Sequence, residues 1–209
     1  MCALEEWAPV RVELCIYVMI TGIVLAGGLS SRAKVNKLLL KVDSKPLISL
    51  TIDSIRPFVD EVVVVSGRYD EELRPHLKDV KVVYNKDYEL GMFSSVLTGL
   101  REAKDEALLL PGDMANISNT TIKTILNNKG CISIPTYKGT RGHPLFLNKE
   151  MVNLVLKEDV NSNLRAFISN HEDKVNLVEV NDPFIEFDID TIEDYNMFLA
   201  KRKELSYES

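Results

Sequence analysis

Cysteine is scarce and scattered in this chain. Cys2, Cys15 and Cys131 are its only three, with no CxxC pair, and such a set supplies neither a disulfide framework nor a zinc site. The usage fits reduced thiols in a cytoplasmic protein. Basic charge is in deficit. Lys and Arg number 25 against 31 Asp and Glu, for a net charge of −6, which excludes the basic surface of a nucleic-acid binder. Any anion held here must meet a local cluster of cations. Long apolar runs are also missing. The stretch from Leu14 to Leu25 is bounded by Glu13 and closed by Gly27-Gly28, so it is too short for a membrane span of ~20 residues. A secretory leader needs a basic start, and Glu5, Glu6 and Glu13 contradict one. Neither nucleic acid nor membrane is therefore expected as a partner. The two commonest phosphate-binding signatures, GxGxxG and GxxxxGK[ST], are absent too.

The proportions that remain are ordinary. The chain has 209 residues, 45% hydrophobic and 27% charged, suited to one domain with a substantial core. Residues 1–18 read as an N-terminal extension of unknown role, and 19–209 as one domain. In the first half apolar strands alternate with helices. The strands are Ile20–Ala26, Glu61–Ser66, Val80–Tyr84 and Ala107–Leu110. Helices are expected over Pro46–Phe58, Asp70–Leu77 and Ser94–Ala103, the last with Ser94 as N-cap. Near-continuous Val/Ile/Leu strands between helices indicate a parallel sheet covered on both faces.

The second half reads differently. Cys131–Lys149 suggests two strands around a polar turn, followed by helical stretches at Glu150–Leu156 and Asn163–Ser169. Lys174–Val180 reads as a strand and Phe184–Asp190 as a short extended piece. Thr191–Lys203 reads as a terminal helix with Thr191 as N-cap and Asp194 in its first turn.

Ligands of open α/β sheets sit beyond the carboxyl ends of the strands. Polar residues collect there in this sequence: Gly27-Gly28-Leu29-Ser30-Ser31-Arg32, then Ser66-Gly67-Arg68, Asn85-Lys86-Asp87 and Pro111-Gly112-Asp113-Met114. A glycine turn lets backbone approach a ligand closely, and its N–H groups beside Arg32, Lys34 and Lys37 suit phosphate. Asp113 is either a turn cap or a Mg²⁺ ligand, because Mg²⁺ takes one or two carboxylates plus substrate phosphates. Asp188 and Asp190 share a face at strand spacing and offer a second carboxylate, or merely a solvated turn. His143, in Arg141-Gly142-His143-Pro144, is a general-base candidate or a hydrogen-bonded structural histidine. His76 and His171 lie in charged surroundings and read as surface residues.

Taken together these segments resemble the MobA-like nucleotidyltransferases, and within them the molybdenum cofactor cytidylyltransferases. The resemblance is carried by LAGGLSSR (Leu25–Arg32), NKLLL (Asn36–Leu40), KPL (Lys45–Leu47), GMFSSVLTGL (Gly91–Leu100), GDM (Gly112–Met114), RGHPLF (Arg141–Phe146) and DIDTIEDY (Asp188–Tyr195). It runs from about Ile20 to the last helix. Ala33-Lys34, Ala115 and Ile192 depart from the family's usual Met-Gly, Pro and Pro.

The resemblance implies a Rossmann-like three-layer sandwich of the nucleotide-diphospho-sugar transferase type, with a mostly parallel central sheet. It also implies CMP transfer from CTP to a molybdopterin-type cofactor, with pyrophosphate released. By that resemblance Leu25, Ala26, Gly27, Gly28 and Leu29 cradle the triphosphate, with Ser66 bordering the nucleotide. Arg32 binds the leaving phosphates and Lys37 the α-phosphate. Asp113 with Asp188 or Asp190 holds Mg²⁺. Gly91, Met92, Ser94 and Ser95 line a substrate pocket, and Arg141 and His143 face the acceptor. A molybdenum hydroxylase apoenzyme is the further implied partner. Three alternatives remain open: guanylyl transfer to molybdopterin, nucleotidyl transfer to a sugar phosphate, and a non-catalytic cofactor-binding accessory protein.

Overall fold

The computed structural model describes residues 17–28 and 36–207. The expected extension therefore lies almost wholly outside the described residues, as do Leu29, Ser30, Ser31, Arg32 and Lys34. The chain runs β1 (Ile20–Ala26), β2 (Lys41–Val42), β3 (Lys45–Pro46), α1 (Leu47–Ile55), β4 (Glu61–Ser66), α2 (Asp70–Leu73), β5 (Lys81–Tyr84) and α3 (Met92–Leu100). It continues through β6 (Glu106–Pro111), α4 (Asn119–Asn127), β7 (Ile132–Tyr137), β8 (Thr140–Arg141), β9 (Leu145–Leu147), α5 (Lys149–Val155), α6 (Leu164–Asn170), β10 (Val175–Glu179) and α7 (Ile192–Tyr207).

The central sheet has the order β10-β7-β9-β6-β1-β4-β5, and β8 pairs with β7. The segment β6-β1-β4-β5 is parallel throughout. Only β9 and β8 run antiparallel to their neighbours. This is the expected mostly parallel three-layer sandwich. Parallel pairing requires crossovers, so α1 and α3 cover opposite faces. On one face Val24, Ala26, Val62, Val64, Leu108 and Leu110 pack with Ile48, Ile52 and Ile122. On the other, Ile23, Val63, Val65 and Leu109 pack with Val96, Leu97, Met151 and Phe167. The alternation of Ile23 and Val24 shows how a strand buried on both faces comes to read as a continuous apolar run. A third cluster, with Val42, Leu47, Phe184, Ile189 and Phe198, seats α7 against the edge of the domain.

Two expectations need correction, and one helix was not among them. The helix expected at Ser94 begins at Met92, with Gly91 as its N-cap and no side-chain cap. Ser94 lies in its first turn because Gly91, at φ +100°, already turns the chain. The piece from Phe184 is not extended but starts in a 3-10 turn, Pro183–Glu186, whose first turn Asp182 caps by accepting from Phe184 N at 2.9 Å. Helix α4 was not expected at all. Its Ser118 N-cap accepts from Thr121 N at 3.1 Å, and its buried face is only Thr121, Ile122 and Ile125.

Candidate active site

The parallel order β6-β1-β4-β5 brings the loops after those four strands to one edge of the sheet. Gly27 and Gly67 meet there closely. A Cβ on Gly67 would lie 2.7 Å from Gly27 O, and one on Gly27 would lie 2.6 Å from Ser95 Oγ. Both positions require glycine for close approach. Gly28 is exposed, with none of the described residues within 4 Å of where its Cβ would be.

Lys37 is set by its own short motif. It begins a 3-10 turn, Lys37–Leu39, whose N-cap Asn36 accepts from Leu38 N at 3.2 Å. Leu38 is buried and packs with Ile48 in the core. The neighbouring Lys37 ammonium then reaches outwards between two carboxylates, 2.6 Å from Asp113 Oδ2 and 2.6 Å from Asp190 Oδ1. Asp113 is placed by the end of β6: Gly112 N donates to Leu25 O at 2.9 Å, and Thr51 Oγ1 donates to Gly112 O at 2.9 Å. Asp190 is placed by Ile189, which is buried against Phe198 and leaves Asp190 exposed, while Asp188 is open to solvent with its carboxyl crowded by neighbouring groups. Thr191 and Asp194 then bond each other's backbone N–H, at 2.8 and 3.1 Å, a reciprocal cap that starts α7.

The charges here are out of balance. Burial alone would depress Lys37, but Asp113 and Asp190 hold its ammonium above the usual lysine value. Burial, with repulsion from Asp113 and Asp190, pushes the Asp188 carboxyl up from 3.8 to about 6, and Lys37 offsets only part of this. Two carboxylates paired with one ammonium, and a third within electrostatic reach, leave surplus negative charge that a cation would relieve. Among the described residues, no three of His, Cys, Asp and Glu converge to hold a metal ion. A Mg²⁺ ion would therefore draw on one or two of these carboxylates and on substrate phosphate oxygens, which is its usual coordination. The donor set fits that group.

His143 sits on the same side of the site. Burial lowers its imidazole from 6.5 to about 4, and the Asp113 charge only partly opposes this. It is thus a neutral ring at neutral pH. Its Nδ1 is buried with no partner among the described residues, so the hydrogen-bonded structural role is not realised through that atom. Its backbone N donates to Ile185 O at 2.7 Å. Arg141 is exposed on β8 and ion-paired with Glu172.

Ser66, Ser94 and Ser95 are buried. Ser66 Oγ donates to Asp70, whereas Ser94 and Ser95 accept from Asn85 Nδ2 at 2.8 and 3.0 Å. Met92 and Gly91 are exposed at the start of α3. Beyond β4 and β5 lies a cavity of about 530 Å³ lined by Gly67, Arg68, Tyr69, Asp70, Glu72 and Tyr84, among others. Of the histidines expected at the surface, His76 is exposed, while His171 is half-buried and stacks on Phe167 at 4.3 Å. Sequence reasoning missed two features: the Asn85 network, and the reach of Lys37 to Asp190. Asn85 was visible only as a polar residue after a strand. The Lys37–Asp190 pair joins residues 153 positions apart, a distance over which spacing carries no signal.

A model of the MobA-like NTP transferase domain matches residues 22–175. The molybdenum cofactor cytidylyltransferase of Escherichia coli strain K12 is 26% identical over 181 residues, 83% of this chain and 92% of that protein. The nicotine blue oxidoreductase of Paenarthrobacter nicotinovorans is 27% identical over 190 residues, covering 83% and 93%. Among solved structures, a nucleotidyl transferase from Methanothermobacter superposes with a TM-score of 0.77 at 26% identity, covering 88% of this chain and 97% of the other.

Proposed function

The chain belongs to the MobA-like NTP transferase family, and from that premise we propose that it transfers CMP from CTP to a molybdopterin-type cofactor. The observation that carries the reading is the Lys37 ammonium held 2.6 Å from both Asp113 and Asp190, on the sheet edge where Gly27 and Gly28 close β1. Positive charge for an α-phosphate, carboxylates for a cation and a glycine turn for a triphosphate are what nucleotidyl transfer needs.

In this reading a phosphate oxygen of the acceptor attacks the α-phosphorus in line, the new P–O bond forms, and the bond to the β-phosphate oxygen breaks to release pyrophosphate. The acceptor phosphate is already ionised, so no protein base is needed. Catalysis consists of positioning and charge stabilisation. Lys37 stabilises the α-phosphate as charge builds, and Arg32 grips the leaving phosphates with its guanidinium fork. A Mg²⁺ ion held by Asp113 with Asp188 or Asp190 would neutralise phosphate charge when bound. The glycine turn at Gly27 holds the triphosphate, with the nucleotide bordered by Ser66 and Gly67. Met92, Arg141 and the neutral His143 face the acceptor, His143 supplying a hydrogen bond rather than a charge. A molybdenum hydroxylase apoenzyme is the proposed recipient of the product.

The choice of CTP rests on the NKLLL motif at Asn36–Leu40 and on the name of the Escherichia coli relative. The oxidoreductase name of the Paenarthrobacter relative makes turnover itself a point to test. Pyrophosphate release measured with molybdopterin and each of CTP, GTP, ATP and UTP should show CTP preferred. Preference for GTP would select the guanylyl alternative, and release only with a sugar phosphate the sugar-nucleotide one. Molybdopterin binding with no turnover in any nucleotide would select the accessory protein. Asp113→Ala should lose at least about 100-fold in turnover, the scale of removing a charge-stabilising group, with its melting temperature close to wild type.

A further inference from the structure

We propose that Asn85 is a positioning residue for nucleotide binding, fixing from below the glycine turn that closes β1. The proposal rests on the reading of Gly27 as part of a triphosphate cradle. Asn85 directly follows β5 and is 2% exposed. Its backbone N donates to Ser66 O at 2.9 Å, which carries the β4–β5 pairing one step past the strand. Its side chain then bonds in both directions. Nδ2 donates to Ser94 Oγ and Ser95 Oγ. Oδ1 accepts from Asp87 N at 3.0 Å, and Thr98 Oγ1, which donates to Ser94 O at 2.8 Å, lies 3.4 Å away. An amide offers two donors and one oxygen with two lone pairs, so both donors and one lone pair are engaged in a buried setting. Such a network fixes geometry, whereas a half-satisfied one would be costly.

What this network holds decides its role. Ser95 Oγ stands 2.6 Å from the point where a Cβ on Gly27 would be, so the hydroxyl fills the hollow directly beneath the turn. A serine hydroxyl can rotate among staggered positions, and the bond from Asn85 Nδ2 selects the one under Gly27. Through Ser94 the same amide reaches the Gly91 turn, because Ser94 Oγ lies 2.8 Å from both Gly91 O and Asp87 O. One side chain thus ties the ends of β4 and β5 and the first turns of α3 to the floor of the Gly27 turn. Lys37 and Asp113 are fixed by other contacts, through Asn36, Leu38, Thr51 and Gly112. Asn85 therefore acts on how the unreacted triphosphate is held, not on the groups that meet developing charge.

Steady-state kinetics on Asn85→Ala, Ser95→Ala and the double variant test this, using whichever of the four nucleotides the wild type binds. KM for the nucleotide should rise about 10-fold in each single variant, with kcat within about 3-fold, the pattern of lost ground-state binding. The double variant should be no worse than the poorer single one, because both break the same contact. Ser95→Ala removes one oxygen, so an unchanged KM in that variant overturns the proposal even if Asn85→Ala does not fold. A lowered melting temperature with unchanged KM in both variants, or effects that multiply in the double, would overturn the proposal and leave the enzyme's function standing. A wild type that binds none of the four nucleotides would overturn both.

Discussion

Two titrating side chains in the site are displaced in opposite directions, and each makes stability depend on pH with its own sign. The Asp188 carboxyl is raised to about 6 by burial and by Asp113 and Asp190. Its charge is unfavourable in the fold, so its contribution is fullest below the unfolded value near 3.8 and is lost as pH rises through 6. Solvent still reaches the residue and screens the repulsion. Asp188→Asn, melted in the presence of a chelator, should therefore gain stability over wild type, and the gain should grow from pH 4 to 7 and then level off. An advantage that does not change with pH would contradict the charge account. The His143 ring is lowered to about 4 by burial. Its contribution is present above 6.5 and lost as pH falls towards 4. His143→Gln should accordingly lose less stability than wild type across that window, read by chemical denaturation at several pH values.

Helix α7 and the segment before it show how elements set the site. Phe198 is buried against Phe184, at a ring-centroid distance of 5.6 Å, and against Ile189 between the two exposed carboxylates. Phe198→Ala should cost about 3–5 kcal/mol, the range for deleting a buried aromatic side chain. Because Asp190 reaches Lys37 across this cluster, it should also lower turnover. Thr191→Ala should cost about 1 kcal/mol by removing the cap, a melting shift of about 2–4 °C for a domain of this size. The Thr191–Asp194 cap was legible in the sequence because a capping box is local. So were β1 and β4, whose apolar runs are longer than any competing pattern. Helix α4 was not legible, since Asn119, Thr120 and Thr124 dilute its apolar face. The start of α3 was misplaced because a glycine cap leaves no side-chain signal, while two serines three residues on imitate one. Asn85 could not be singled out. Its partners Ser94 and Ser95 are near in sequence, but their common burial is a property of the packed sheet.

Across the whole molecule, the four-strand parallel segment is what turns scattered motifs into one site. Lys37, Asp113 and Asp190 come from three separate stretches of the chain and meet only because β1 and β6 are neighbours and α7 folds back beside them. The antiparallel strands β8 and β9 carry Arg141 and the turn before His143 to the flank of that site, where the acceptor is proposed to lie. Among the described residues no helix is long and apolar enough to cross a membrane. The central claim is that this edge performs nucleotidyl rather than phosphoryl or redox chemistry. Following isotope from CTP labelled at the α- or the γ-phosphate tests it most directly, with molybdopterin as acceptor. The account predicts that α-label passes to the acceptor, that γ-label leaves in pyrophosphate, and that both signals disappear in Asp113→Ala. Transfer of the γ-label to the acceptor, or undiminished α-transfer by Asp113→Ala, would contradict it.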